Sequence, residues 1–198
     1  MIEIIKYGKF SGFEKNKKKS QIILCDSYRN SQNYLEGLKN RINGKYKKIP
    51  NYLITREGKI INLLSDDSYS NFFSDDIINK NSIIICLENL GWVKKIPLSK
   101  KYYNWIDDIY IDEVHDKKWR NHIHWSKYTE EQMNSLIELC KKLLKKFSIK
   151  NKFIGHNTKV DGVKIFNGVV CRSNYSVRYL DPNPSFNFES FKKSIENE

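Results

Sequence analysis

The sequence predicts an α/β fold, a single domain in which a central mixed β-sheet is flanked by helices. Residues 82–88 place apolar side chains on alternating faces, as a buried strand does. Residues 130–147 repeat apolar side chains at helical spacing. Thr129, just before this segment, and Gln132, within its first turn, have the spacing of a capping box. A helix with one apolar stripe needs another layer to cover it. We therefore expect 130–147 to pack across the sheet that contains 82–88.

Shorter patterns complete the predicted sheet and its helices. Apolar, β-type runs indicate three further strands, at 21–25, 51–55 and 59–64. The last two are joined by Arg56-Glu57-Gly58, which suits a hairpin turn. Ser31 is expected to cap a helix whose apolar positions run to Ile42. The four runs should therefore belong to one sheet.

The chain shows no internal repeat and no interdomain linker. We therefore expect one domain over 1–198, with a core at about 20–191. An aromatic-rich insertion at about 92–128 lacks strong periodicity, and 157–180 is expected to be mostly loop. Within the insertion, His122 and His124 would share a face of a strand, so a metal pair there stays open as a hypothesis.

The composition limits the partners and the compartment. Lys and Arg number 35 against 23 Asp and Glu, a net charge of +12, which favours nucleic acid, anionic cell-wall polymers or a membrane surface. A solubilising, lysine-rich surface explains the charge equally well. No nucleic-acid-binding motif is recognisable, so we do not expect nucleic acid as the partner. The four cysteines form no CxxC pair and favour a reducing compartment.

No segment of the sequence has the pattern of a membrane span or an export signal. No stretch is long and apolar enough to span a bilayer. Residues 1–6 lack the apolar run and small-residue cleavage site of a signal peptide. We therefore expect neither a membrane span nor a signal peptide.

Four motifs occur in an order that resembles a known family. They are Asn81 to Asn89, Tyr128 to Gln132, Gly155-His156-Asn157 and Asp181-Pro182-Asn183-Pro184-Ser185-Phe186. Their order, with the strand that ends at Cys25, resembles the zinc amidases that cleave the bond between N-acetylmuramic acid and L-alanine in peptidoglycan. That family includes the phage lysozyme-amidases and the peptidoglycan recognition proteins. The segment Arg172-Ser173-Asn174-Tyr175 is similar to a branch found in large phages.

The resemblance implies a zinc ion held by Cys25, His156 and Asp181. Cys25 stands where relatives carry a histidine, and a thiolate is also a competent zinc ligand. Each residue has a plainer interpretation that stays open. Cys25 would be a small core residue, His156 a loop histidine bonded to backbone, and Asp181 a turn-former or a helix N-cap.

The resemblance also implies two catalytic helpers. Tyr179 falls where relatives often carry a lysine and would donate a hydrogen bond to the oxyanion. Glu88 lies on the strand where some relatives place a carboxylate near the metal, with a cross-strand salt bridge as the alternative. The position of a catalytic tyrosine falls here on Pro50 or Asn51. Substrate contacts are expected from Asn51, Asn157 and Arg178.

Two functions follow from the resemblance. The first is zinc-dependent hydrolysis of the N-acetylmuramoyl-L-alanine amide at an atypical site. The second is a catalytically silent protein of the same fold that binds peptidoglycan or serves as a virion structural or interaction module. Peptidoglycan is the expected partner, with other virion proteins as a further class. The absence of an export signal favours action from the host cytoplasm before lysis, or from a phage virion.

Overall fold

The computed structural model describes residues 4–8 and 10–197. The start of the chain, on which the expectation about a signal peptide depends, lies partly outside these residues. The described strands are β1 (Ile4–Lys6), β2 (Gln21–Asp26), β3 (Tyr52–Ile54), β4 (Ile60–Asn62), β5 (Ser82–Leu87), β6 (Trp92–Lys95), β7 (Tyr102–Tyr103), β8 (Ile109–Tyr110), β9 (Val114–Trp119), β10 (His122–Ser126) and β11 (Gly168–Cys171). The α-helices are α1 (Ser31–Asn40), α2 (Asp76–Asn81), α3 (Glu130–Phe147) and α4 (Phe188–Glu196). Short 3-10 turns span Arg41–Gly44, Val163–Ile165 and Arg172–Asn174.

The central sheet is mixed and has the strand order β1-β4-β3-β5-β2-β11. Only the β3–β4 pair is antiparallel among its described neighbours, and it forms the hairpin expected around Gly58. In the parallel pair of β2 and β5, Cys25 lies opposite Cys86. The predicted α/β fold with a central mixed sheet is confirmed, and all four predicted strands belong to this sheet.

Side-chain alternation divides the core into two layers. On one face of β2 and β5, Leu24 and Ile85 pack with Leu136 and Leu143 of α3. On the other face, Cys25 and its neighbours pack with residues of α1. α3 begins as predicted, because the Thr129 side chain accepts a hydrogen bond from the Gln132 amide at 3.2 Å. The N-cap of α1 is Asn30 rather than the expected Ser31.

The insertion at 92–128 forms a second, antiparallel sheet with the order β8-β7-β6-β10-β9. Two of its strands are only two residues long. In β10, a register shift between His122 and His124 interrupts the alternation of side chains between the two faces, by which a strand is recognised in a sequence. That irregularity also separates the two histidines. His122 stacks on Trp92, whereas Nδ1 of His124 lies 2.6 Å from the Asp116 carboxylate.

The segment 157–180 is mostly loop, as expected, but it also contains a strand that was not predicted, β11, at the edge of the central sheet. Its four residues, Gly168–Cys171, are too few to show a period. α4, which follows the Asp-Pro loop, packs beside α3 through Phe191 and Ile195. No described helix has the length and apolarity to cross a membrane.

Lys19, just before β2, makes the free energy of unfolding change with pH in the alkaline range. Its Nζ donates to the Lys80 carbonyl at 2.9 Å, and burial lowers its pKa to about 8, with Asp67 and Asp66 opposing the shift. The unfolded chain keeps this proton up to about pH 10.4, so between these values the unfolded state binds more protons and stability rises with pH.

We therefore expect the free energy of unfolding of wild type, relative to Lys19→Met, to increase from pH 7 to pH 10. Urea denaturation of both proteins at several pH values measures this difference, and the variant removes the contribution of every other titrating group. A difference that stays constant across the range would show that Lys19 is not desolvated in the folded protein.

Candidate functional site

A cleft of about 420 Å³ opens where the carboxyl ends of β2 and β11 meet. Parallel strands bring the residues that follow them to one edge of a sheet, which is where α/β proteins bind ligands. Here Tyr28 and Arg29 follow β2, Arg172 follows β11, and α1 forms the opposite wall. A larger groove of about 740 Å³ lies near β1 and the end of α3, and the described residues that line it include none of the predicted site residues.

At the base of this cleft, the lining residue Arg172 forms an ion pair with the buried Asp181. Nη1 of Arg172 lies 3.4 Å from Oδ2 of Asp181, which is fully buried and also accepts the backbone N–H of Asp26 at 3.1 Å. The guanidinium carbon lies 4.1 Å from the ring centroid of Tyr179 and 5.5 Å from that of Phe72. Burial lowers the pKa of Arg172, but Asp181, together with Cys25, Tyr28 and Tyr179, outweighs the effect of burial, so that the pKa is raised. Arg172 is therefore a permanent cation.

A second buried carboxylate, Asp26, lies next to this pair. The Tyr128 hydroxyl donates to both Asp26 oxygens, at 2.7 and 2.9 Å, and accepts the Asn183 backbone N–H at 3.0 Å. Burial, and then the nearby Asp181 charge, raise the pKa of Asp26. Of the two carboxylates, Asp181 has the cation, so Asp26 takes up a proton more readily than an exposed aspartate does.

The first predicted zinc ligand, Cys25, lies within the core. It is fully buried, and its Sγ donates to the Ile85 carbonyl at 3.6 Å. Burial and the adjacent Cys86 raise the pKa of the thiol, which favours the protonated form over the thiolate that a metal requires. All four cysteines are free and buried.

The other two predicted ligands are in different surroundings. His156 is exposed on its loop, where Nδ1 lies 2.8 Å from the Thr158 hydroxyl. Asp181 retains one buried oxygen, Oδ1, that has no hydrogen-bond partner and could accept a cation. Within the described chain, no three His, Cys, Asp or Glu side chains are grouped so that they could hold a metal ion. The predicted set therefore does not fit zinc in this arrangement.

Of the predicted catalytic and binding residues, Tyr179 lines the cleft. Glu88 is buried and accepts the backbone N–H groups of Ser31 and Arg56, at 2.9 and 3.0 Å. It thus holds the start of α1 beside the β3–β4 turn. The Asn51 side chain accepts from the Ile84 amide at 2.9 Å and donates to two loop carbonyls. Glu88 and Asn51 bind backbone groups here, and neither lines the cleft.

Asn157 and Arg178 lie on the loops beside the cleft. Asn157 donates its side-chain N–H to the Pro182 carbonyl at 3.1 Å, which ties the His156 loop to the Asp-Pro loop. Arg178 is exposed next to Tyr179. The residues that were not predicted are those immediately after β2 and β11, namely Tyr28, Arg29 and Arg172. Tyr28 has a φ of 56°, an uncommon value for a residue other than glycine, and such backbone strain is concentrated at functional sites.

Comparison of the sequence with family profiles gives one match. The profile described as N-acetylmuramoyl-L-alanine amidase matches residues 13–169. This range includes Cys25, His156 and the aromatic insertion, and it ends before Arg172 and Asp181. No curated protein sequence matches the chain at a significant level.

Solved structures with the same fold include amidases and recognition proteins. N-acetylmuramoyl-L-alanine amidase LysC from Clostridium intestinale URNW is 14% identical, with a TM-score of 0.61 and coverage of 98% of both chains. The amidase AmiD of E. coli, solved with anhydro-N-acetylmuramic acid-L-Ala-D-gamma-Glu-L-Lys, is 15% identical, with a TM-score of 0.56 over 93% of this chain and 60% of AmiD. The ectodomain complex of the peptidoglycan recognition proteins LCa and LCx, bound to tracheal cytotoxin, gives 12% identity, a TM-score of 0.56 and coverage of 98% and 96%.

Proposed function

Because the chain belongs to the N-acetylmuramoyl-L-alanine amidase family, we propose that it binds peptidoglycan, holding a muropeptide in the cleft beside Arg172 without cleaving it. The observation that carries this proposal is the cleft itself. It lies at the strand ends and is lined by Tyr179 of the predicted site and by Arg172, whose guanidinium contacts the buried Asp181.

The charge of the cleft suits an anionic ligand. Its basic lining residues are Arg29, Arg41, Lys48 and Arg172, whereas Asp26 is its acidic lining residue. The ligand solved with AmiD contains a glutamate joined through its γ-carboxyl, which leaves the α-carboxylate free. Charge-assisted hydrogen bonds from arginine to a carboxylate are among the stronger polar contacts in proteins. A stem peptide with a free carboxylate is therefore a complementary ligand.

Aromatic side chains supply the apolar part of the cleft. They are Tyr28, Tyr34, Tyr46, Phe72, Trp105 and Tyr179. Trp105 is 57% exposed at the rim, so its ring face is open to a ligand. Aromatic rings offer large contact areas with little loss of side-chain freedom, which suits them to the apolar faces of a sugar or a peptide.

Hydrolysis of the N-acetylmuramoyl-L-alanine amide is the second candidate function, favoured by the match of the family profile. For this function, Cys25, His156 and Asp181 remain the proposed zinc ligands, and Tyr179 and Glu88 remain the proposed catalytic residues. For that set to form, the Cys25 thiol must turn away from the Ile85 carbonyl and His156 must leave Thr158. In both proposals the target is a bacterial cell wall, reached at lysis or from a virion.

One experiment separates the two functions. Untagged protein is sedimented with purified peptidoglycan, and new N-terminal alanine is measured with zinc added and with a chelator. We expect sedimentation without release of alanine. Trp105→Ala should weaken binding about tenfold, equal to roughly 1.4 kcal/mol. Lys118→Met, an exposed charge change on β9, is the matched control and should bind like wild type.

Each of the other outcomes is decisive. Release of alanine that a chelator abolishes would establish the hydrolase and overturn the silent binding protein. Failure of the wild type both to sediment and to release alanine would overturn both functions.

A further inference from the structure

We propose that Arg172 supplies the fixed positive charge at the base of the cleft, in the place where the family resemblance predicts zinc, so that the charge of the buried carboxylates is offset without a metal. The position of the Arg172 charge follows from the geometry alone. Binding of a ligand without metal, which would follow from that charge, rests on the proposed function.

The position of Arg172 follows from the sheet. β11 pairs in parallel with β2, and the last paired residues are Cys171 and Leu24. Arg172 is therefore level with Cys25, the first predicted ligand, and its Nη1 reaches to 3.4 Å from Asp181, the third. Of the three residues that the resemblance assigns to zinc, Arg172 thus contacts one, Asp181, and lies level with another, Cys25.

Contacts on its faces hold the guanidinium in this place. Its carbon lies 4.1 Å from the ring centroid of Tyr179 and 5.5 Å from that of Phe72. The planar guanidinium stacks on aromatic faces, which a lysine ammonium does not do in the same way. The backbone is also anchored, because the Asn174 side chain accepts the Cys171 N–H at 2.7 Å and the Ser173 N–H donates to the Asp181 carbonyl at 2.9 Å.

The carboxylates of the site need a cation. Asp181 is fully buried and Asp26 is 4% exposed, and the Asp26 backbone N–H donates to Asp181. A buried carboxylate without a partner is strongly unfavourable, and Arg172 provides the partner. A divalent ion beside the guanidinium would meet a like charge. A metal that binds the free Oδ1 of Asp181 would therefore be repelled by Arg172 on Oδ2.

Thermal unfolding tests this proposal directly. Wild type, Arg172→Met, Arg172→Lys and Lys118→Met are unfolded with EDTA and with excess zinc chloride. We expect the Tm of wild type and of Lys118→Met to be the same in both solutions. Arg172→Met should have a lower Tm, and Arg172→Lys should recover part of the loss because it restores a charge. Adding Asp181→Asn to Arg172→Met should raise the Tm again, since the buried carboxylate that Arg172 pairs with is then neutral, while Asp26 keeps its hydrogen bonds from Tyr128.

Two results would overturn the proposal. One is stoichiometric zinc in untagged wild type together with a Tm that falls in EDTA. The other is an Arg172→Met, Asp181→Asn protein whose loss of Tm equals the sum of the two single losses. Sedimentation of wild type with peptidoglycan in EDTA is measured separately. If binding fails there while the Tm results hold, the proposed function is wrong and the charge assignment stands.

Discussion

Replacing Arg172 with methionine should lower the free energy of unfolding by about 3 kcal/mol, the lower end of the usual cost of removing one partner of a buried ion pair, because the Arg172 side chain is 24% exposed. The cost arises because Asp181 is fully buried and would lose its ion-pair partner while Asp26 remains nearby. Methionine is unbranched and keeps much of the contact with Tyr179, so the change reports mainly on charge. Urea denaturation followed by tryptophan fluorescence gives the value.

The control for this measurement is Lys118→Met, which removes an exposed charge and should change stability by less than about 0.5 kcal/mol. A loss below about 1 kcal/mol for Arg172→Met, typical of a surface ion pair, would mean that water already solvates Asp181 in the folded protein.

Replacing Trp125 with alanine should destabilise the protein by about 3–5 kcal/mol, the range measured for deleting a buried aromatic side chain. Trp125 is fully buried on β10, contacts Trp119 at a centroid distance of 5.4 Å, and donates Nε1–H to the Lys117 carbonyl at 2.8 Å. The loss therefore combines a cavity with an unpaired carbonyl. Urea denaturation measures it, and limited proteolysis should show earlier cleavage within 92–126.

Trp105→Ala serves as the matched control, because Trp105 is 57% exposed in the same insertion. Its effect on stability should stay within about 0.5 kcal/mol. If Trp105→Ala and Trp125→Ala lowered the free energy of unfolding equally, the second sheet would not be packed around Trp125, because of these two tryptophans it is Trp125 that lies in the interior.

The elements that periodicity reveals were predicted from the sequence. The stripe of α3 and the alternation of β5 each involve enough residues to show their period, and both lie where expected. β7, β8 and β11 have two to four residues, too few for any period to appear. Their existence depends on pairing with distant strands, which local sequence does not report.

Only part of the site was predicted, because the rest depends on the same pairing of distant strands. Tyr179 lines the cleft and Asp181 contacts its lining residue Arg172, because the order of motifs along the chain located the loop that contains both. Arg172 was identified only as part of a segment similar to large-phage relatives. Its place beside Asp181 depends on the pairing of β11 with β2, across more than a hundred residues of sequence. Glu88 satisfies backbone N–H groups, a role that residue type alone does not distinguish from catalysis.

The most direct test of a metal-independent, peptidoglycan-binding cleft is calorimetric titration with the muramyl tripeptide N-acetylmuramic acid-L-Ala-D-gamma-Glu-L-Lys, in EDTA and again with zinc. We predict the same affinity in both solutions, and a loss of about tenfold or more in Arg172→Lys, which keeps a charge but not the planar fork that binds a carboxylate in two places. Binding that requires zinc and is unaffected by Arg172→Lys would contradict the account.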